Sequence, residues 1–250
     1  MSSHHLPVFL ANASDDAEEL QPLVLSGHGG GEGVSRFSKC LRISAIASLL
    51  LGADSAPFRS DLAASARGLK TWLERAGSNG RDGLGLSRCA GFFDAIAAEE
   101  WGLAADLARA LAHAAWDPEG EYEEDYLYTK LLMSRVGAGD AENDARAALL
   151  ARYRELEGDE VDWRLELCTA LEEGNELAFE EALEGLMLAE RDEMEYLRAK
   201  EALLPEELAT LGCVSIEGIA LHRLGTRAGF RLQRDYLFIP SLALDPPLAE

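Results

Sequence analysis

Three consecutive stretches of this chain each open on an Asp or Asn and close on a glycine or proline, at helix-sized intervals. They run from Asp140 to Gly158, from Asp159 to Gly174, and from Asn175 to Pro205. An Asx side chain accepts hydrogen bonds from the free amides of a first turn, and glycine takes the left-handed conformation that ends a helix. Apolar residues inside the last stretch (Leu183, Leu186, Met187, Met194 and Leu197) recur at helical spacing and mark one buried face. Alternation with a period of two, bounded by hairpin turns, occurs nowhere in the chain. Short connections between such segments favour antiparallel helical hairpins. The expected fold is all-α: an irregular array of about nine helices in a single helical domain over residues 1–250, with an extended C-terminal tail.

The remaining punctuation fits that reading. Ser14 is placed as the cap of a short first helix. The cluster Gly27–Gly33 reads as a linker, because glycine pays a large entropic cost in regular structure. Helices are expected over Arg36–Leu51, from Pro57 to about Ala76, over Ser87–Glu100 and Leu103–Ala115, over Glu121–Val136, and over Ser215–Ala228. The tail Tyr236–Pro240 is apolar and should pack on the core. Trp101–Ala108 has the small-residue pattern of tetratricopeptide helices, yet no fixed-period repeat runs through the chain.

Charge then narrows the function. With 23 Lys and Arg against 45 Asp and Glu in 250 residues, the net charge is −22, and 48% of residues are hydrophobic. That much apolar content supports a large core and argues against acidic disorder. A protein this acidic repels phosphate backbones and anionic lipid, so nucleic acid and membrane are poor partners and a basic protein is a good one. No basic leader and no apolar run near the ~20 residues needed to span a bilayer is present, which leads us to expect a cytoplasmic protein. The four cysteines form no Cys-x-x-Cys pair and read as buried free thiols.

The excess charge is regional. Residues 117–210 carry 28 acidic and 9 basic groups, whereas the segments on either side are close to neutral. Within them Glu173, Glu176, Glu180 and Glu184 are spaced to share a helix face, and Glu121, Glu123, Glu124, Asp125 and Tyr126 make a second dense patch. A charge run is ordinarily a solvated face. A one-signed, regional run instead nominates these nine residues as a surface that steers in a cationic partner.

No catalytic motif survives inspection. His28-Gly29-Gly30-Gly31 lacks the nucleophile elbow of a lipase, Gly27–Gly33 lacks the Gly-Lys-Ser/Thr of a phosphate loop, and the histidines have no metal-ligand spacing. No cofactor or metal is implied. Glu217 stands out as a lone acid in an apolar helix and reads as structural, paired with an arginine such as Arg223 or Arg227. An enzyme would have only Glu217 and His222 to build on. The four tryptophans read as core anchors.

The stretch Ser215–Gly225, followed by Tyr236-Leu237-Phe238-Ile239-Pro240, resembles the end of certain bacterial immunity proteins, with an acid-bearing apolar helix before an aromatic segment. Asp125-Tyr126-Leu127-Tyr128 fits the same pattern. The likeness is to polymorphic-toxin immunity family 49, and to a related family that guards against DNase toxins. The resemblance implies an all-α, non-enzymatic, cytoplasmic protein that binds and neutralises a cognate toxin, often a nuclease. A basic nuclease cleft would complement the acidic helices. The alternative is a helical scaffold that binds some other basic protein.

Overall fold

The computed structural model describes residues 5–52, 54–76, 84–138, 143–156, 158, 161–233 and 235–246. The described residues form α-helices and one 3-10 turn, with no strand among them. Among the described residues there are 12 α-helices rather than about nine. The difference comes from short elements at segment ends, where a single turn satisfies local backbone groups that the hydrophobic pattern does not report.

The N-terminal layer is α1 (Leu6–Ser26), α2 (Gly30–Gly52) and α3 (Ser55–Arg75), packed as neighbours through short connections. α1 is longer than its expected cap allows, because Ser14 does not cap. Its hydroxyl meets that of Ser44 on α2, and Leu6, Ala13, Ala17 and Val24 form a continuous buried stripe. The glycine cluster is not a linker throughout: Gly30, Gly31 and Gly33 lie in the first turn of α2. The helix tolerates them there because Val34, Phe37 and Leu41 bury its inner face just beyond.

Gly27 ends α1 with φ +82, its amide donating to the Leu23 and Val24 carbonyls, and a Cβ there would sit 3.0 Å from the backbone of Arg75. Gly27→Ala should therefore destabilise by about 1–2 kcal/mol, from the left-handed conformation alone. Denaturant titration checks this. His28 is exposed and should be neutral to alanine in the same measurement.

The middle of the chain holds α4 (Ala90–Ala97), α5 (Trp101–Ala110), α6 (Glu123–Ala138) and α7 (Asn143–Arg154). α8 (Trp163–Glu173) and α9 (Glu176–Ala199) form the hairpin that dominates the acidic region. Its cap is Asp162, whose carboxylate accepts from the amides of Arg164 and Leu165. Asp140 and Asp159 lie outside the described residues. Gly174, at φ +67, and Asn175, which caps α9, act as the spacing predicts. α9 ends at Ala199, short of Pro205, and α10 (Pro205–Ala209) follows.

α11 (Ile216–Arg227) is capped by Ser215 and packs against both α4 and α9, which places it at the centre of the fold. One cluster of buried residues runs from Ala17 to Ala243, with Trp72, Phe58, Phe92 and Phe179 fully enclosed. The tail is not extended. Tyr236–Ile239 closes a tight turn with Phe238 at φ 59, Ile239 is buried, and α12 (Ser241–Leu244) follows. The Phe238 carbonyl accepts from Ser215, so the turn is tied to the start of α11.

Two further expectations need correction. Cys213 is exposed, whereas Cys89 and Cys168 are buried, and burial pushes the Cys89 thiol up to about 12. Trp116 is a surface residue whose indole donates to the Glu121 carbonyl, since it follows the end of α5 in a loop.

Candidate functional site

Helix α9 carries eight carboxylates and two arginines. Its buried residues, Phe179, Ala182, Leu183, Gly185 and Met187, all lie in its first half. Gly185 is required there, because the Trp163 ring lies where a Cβ would be, only 2.3 Å away. Beyond Met187 nothing in the helix is buried, so its second half projects past the body.

The four acids expected on one face do not share it. Glu173 is the last residue of α8 and is separated from α9 by the Gly174 bend. Glu176 and Glu180 turn toward the C-terminal segment. Glu176 accepts from the Arg231 amide at 2.9 Å, while Glu180 accepts from the Gln233 amide and the Tyr236 hydroxyl, both at 3.1 Å. Their charge holds the tail in place. Burial, and then Glu180, raise the Tyr236 phenol well above its ordinary range. The solvent-facing stripe lies one position over, at Leu177, Glu181, Glu184, Leu188, Asp192 and Glu195, all exposed and spaced by three or four. Only Arg191 interrupts it, and Arg191 is bound to Asp192 at 2.7 Å.

The second patch is also largely committed. Glu121 accepts from the Ser87 amide at 2.8 Å, and Glu123 takes a bidentate bond from Arg152 at 2.8 and 2.9 Å. The Tyr126 hydroxyl donates to the Ala114 carbonyl, and Asp125 pairs with Arg164 at 2.9 Å. Glu124 sits on α6 half-buried, and exposed Tyr122 stands just before the helix.

Arg164 gathers the centre of the site. Its guanidinium meets Asp125 on one side and both Glu217 oxygens on the other, at 3.3 and 3.4 Å, and lies 4.9 Å above the Tyr128 ring. Tyr128 in turn donates to Glu217 at 2.9 Å. Burial opposes the charge on Arg164, but Glu217 and its neighbours outweigh it and hold the group cationic. Glu217 is thus paired with an arginine, but with Arg164 rather than Arg223 or Arg227. Arg223 reaches Glu99 and the Ala243 carbonyl, and Arg227 stacks on Trp101. Nor do Glu217 and His222 form a couple. His222 meets the Gln233 carbonyl and the Tyr236 ring, and five positions separate the two on α11.

Beside this knot lies a groove of about 680 Å³, between the projecting half of α9 and the first turns of α8 and α11. Glu190 faces into it. Burial pushes the Glu190 carboxyl up to about 7, Glu217 and Glu193 add to the shift, and a Ser215 hydrogen bond and Arg164 oppose it. On another wall Arg42 donates to Asp94 at 2.6 Å and to the Ala90 carbonyl at 3.0 Å. Asp94 is fully buried and also accepts from Ser65 at 2.5 Å.

Three residues escape a reading of the sequence, although each leaves a signal. Arg164 is a cation in the first turn of a helix, where the dipole disfavours it, so acids must surround it. Glu190 falls on the apolar stripe of α9, four positions after Leu186 and four before Met194. Asp94 is a lone acid in Phe92-Phe93-Asp94-Ala95-Ile96, the same signature that singles out Glu217.

Among the described residues no cluster of His, Cys, Asp or Glu is arranged to hold a metal, and no helix is long and apolar enough to cross a membrane. No curated protein and no solved structure matches the chain. A family model does, that of immunity protein 49, over residues 43–243. This match takes in Glu217, the Arg164 knot, every groove residue but Arg42 and all of α9, and the chain belongs to the immunity protein 49 family.

Proposed function

We propose that this immunity protein neutralises a toxin with a basic active-site cleft, a nuclease, by docking it on the outer stripe of α9. The observation that carries the reading is the stripe itself. Its carboxylates (Glu181, Glu184, Asp192, Glu195) are exposed and, among the described residues, none bonds another element, Asp192 meeting only its neighbour Arg191. Two leucines, Leu177 and Leu188, are 77% and 47% exposed among them. Apolar anchors supply affinity at such a surface, while the charges steer the encounter. A nuclease must hold phosphate, so its cleft is cationic and complements the stripe. Glu176 and Glu180 act mainly through the tail they secure.

Reversing Glu181, Glu184 and Glu195 to Lys should leave the fold intact, since exposed charges contribute little stability. Association with the toxin, identified by co-purification from the native host, should slow by at least tenfold at low salt. The gap should narrow as salt rises and the Debye length falls to about 8 Å at 0.15 M. Stopped-flow association at several ionic strengths measures it. Equal rates for both proteins throughout would remove the outer stripe of α9 from the interface.

A further inference from the structure

The groove under α9 has a charge imbalance that the fold does not use. Its walls are apolar, made by Trp163, Leu186, Met194, Leu211 and Ile216. Two cations line it, and both are engaged: Arg42 with Asp94, and Arg164 with Asp125 and Glu217. Glu190 and Glu193 also line it, and among the described residues neither forms an ion pair. Ser215 lies beside Glu190 in the groove, and its hydroxyl eases part of the cost of burying that carboxyl. A carboxylate half-buried against apolar side chains, with the nearby Arg164 bonded to other acids, is costly, and a charge-assisted bond from a ligand would relieve it.

Arginine and lysine have the matching shape. Their methylene stems cover apolar surface and their cationic heads extend beyond it. We propose that the groove is a socket for one basic side chain of the toxin, its stem against Trp163, Leu186 and Met194 and its head on Glu190. This rests on the reading that the partner is a basic protein. It adds a distinct contact on the face of α9 opposite the outer stripe, so that the projecting half of the helix would be gripped on both sides.

The polar and charged groups that line the groove with Glu190 are Glu193 on its own helix, Glu217 from α11 and its cap Ser215, Arg164 from α8 and its cap Asp162, and Arg42 from α2. Pairing with a cation draws the proton off Glu190, so occupancy should grow with pH through neutrality.

The test uses N-acetyl-arginine amide as probe and N-acetyl-citrulline amide as its uncharged counterpart, added to the ¹⁵N-labelled full chain. The Trp163 indole resonance is the readout, assigned by its loss in Trp163→Phe. The arginine probe should shift it saturably with a dissociation constant on the order of 1 mM, as expected for a ligand of this size. Citrulline should bind at least tenfold more weakly. Binding of the arginine probe should strengthen several-fold from pH 6 to pH 8. Glu190→Gln, which is isosteric and keeps the Ser215 bond, should abolish both the preference for arginine and the pH dependence. Equal binding of the two probes, an undiminished preference in Glu190→Gln, or no saturable shift would each overturn the socket. Such a result would leave the α9 stripe untouched, because the charge-reversal series reads the stripe through toxin association and does not involve Glu190.

Discussion

Replacing Arg42 with Met is expected to lower stability by about 3–5 kcal/mol, the range for removing one partner of a buried ion pair. Such a loss is a large part of the 5–15 kcal/mol that holds a typical domain together. Asp94 has no exposure, and its carboxylate ties α4 to Arg42 of α2 and Ser65 of α3. Without Arg42, a buried charge keeps a single hydroxyl donor. Burial already raises the Asp94 pKa, and Arg42 and Ser65 only offset it. A carboxyl whose folded-state pKa is raised contributes stability below its unfolded pKa and loses it as pH rises. The Arg42→Met penalty should therefore be small near pH 4 and reach its full size at neutrality. Adding Asp94→Leu should recover much of it, because an apolar side chain needs no partner there. Denaturant melts of the single and double variants across pH measure all three effects. A penalty that ignores pH would show that Arg42 works by packing alone.

Glu190→Gln is expected to make the protein more stable, by about 2–3 kcal/mol at pH 8, with almost no change at pH 4. The folded-state value near 7, against 4.5 for the ordinary group, carries this estimate at 1.36 kcal/mol per unit, reduced for partial exposure. The folded chain binds the extra proton between those values, so wild-type stability falls as pH rises from about 4.5 to about 7. The variant lacks that slope. Thermal melts at pH 4 and pH 8 suffice, and equal shifts at both would show that ionisation of Glu190 is not the cause. Because the same variant should lose the arginine preference, the two measurements together would describe a residue that costs stability and is retained for binding.

What was legible in the sequence was local. Asn175 and Gly174 act where their spacing placed them, because a cap needs only its own first or last turn. The acid-bearing helix and the packing of the aromatic segment were visible in the apolar pattern, but its turn was not, because the turn depends on Phe238 taking a positive φ. Pairing across the fold was not. Glu217 finds Arg164, 53 positions away, instead of an arginine on its own helix. The stripe on α9 shows the same limit on a finer scale. The spacing of Glu176, Glu180 and Glu184 defines a face, but only the arrival of residues 231–236 decides that two of these acids face inward and that the solvent side begins at Leu177.

The projecting half of α9 also bears on how such a protein changes over generations. Substitutions in the buried half disturb Phe179, Leu183 or the contact of Gly185 with Trp163, and each would tax folding. Those at the exposed positions Leu188, Arg191, Asp192, Glu195 and Tyr196, away from the groove that Glu190 and Met194 line, meet mostly solvent and should stay within about 0.5 kcal/mol of neutral. A toxin that alters its surface can thus be followed one residue at a time, with recognition drifting along the free end of the helix while the body that presents it stays the same.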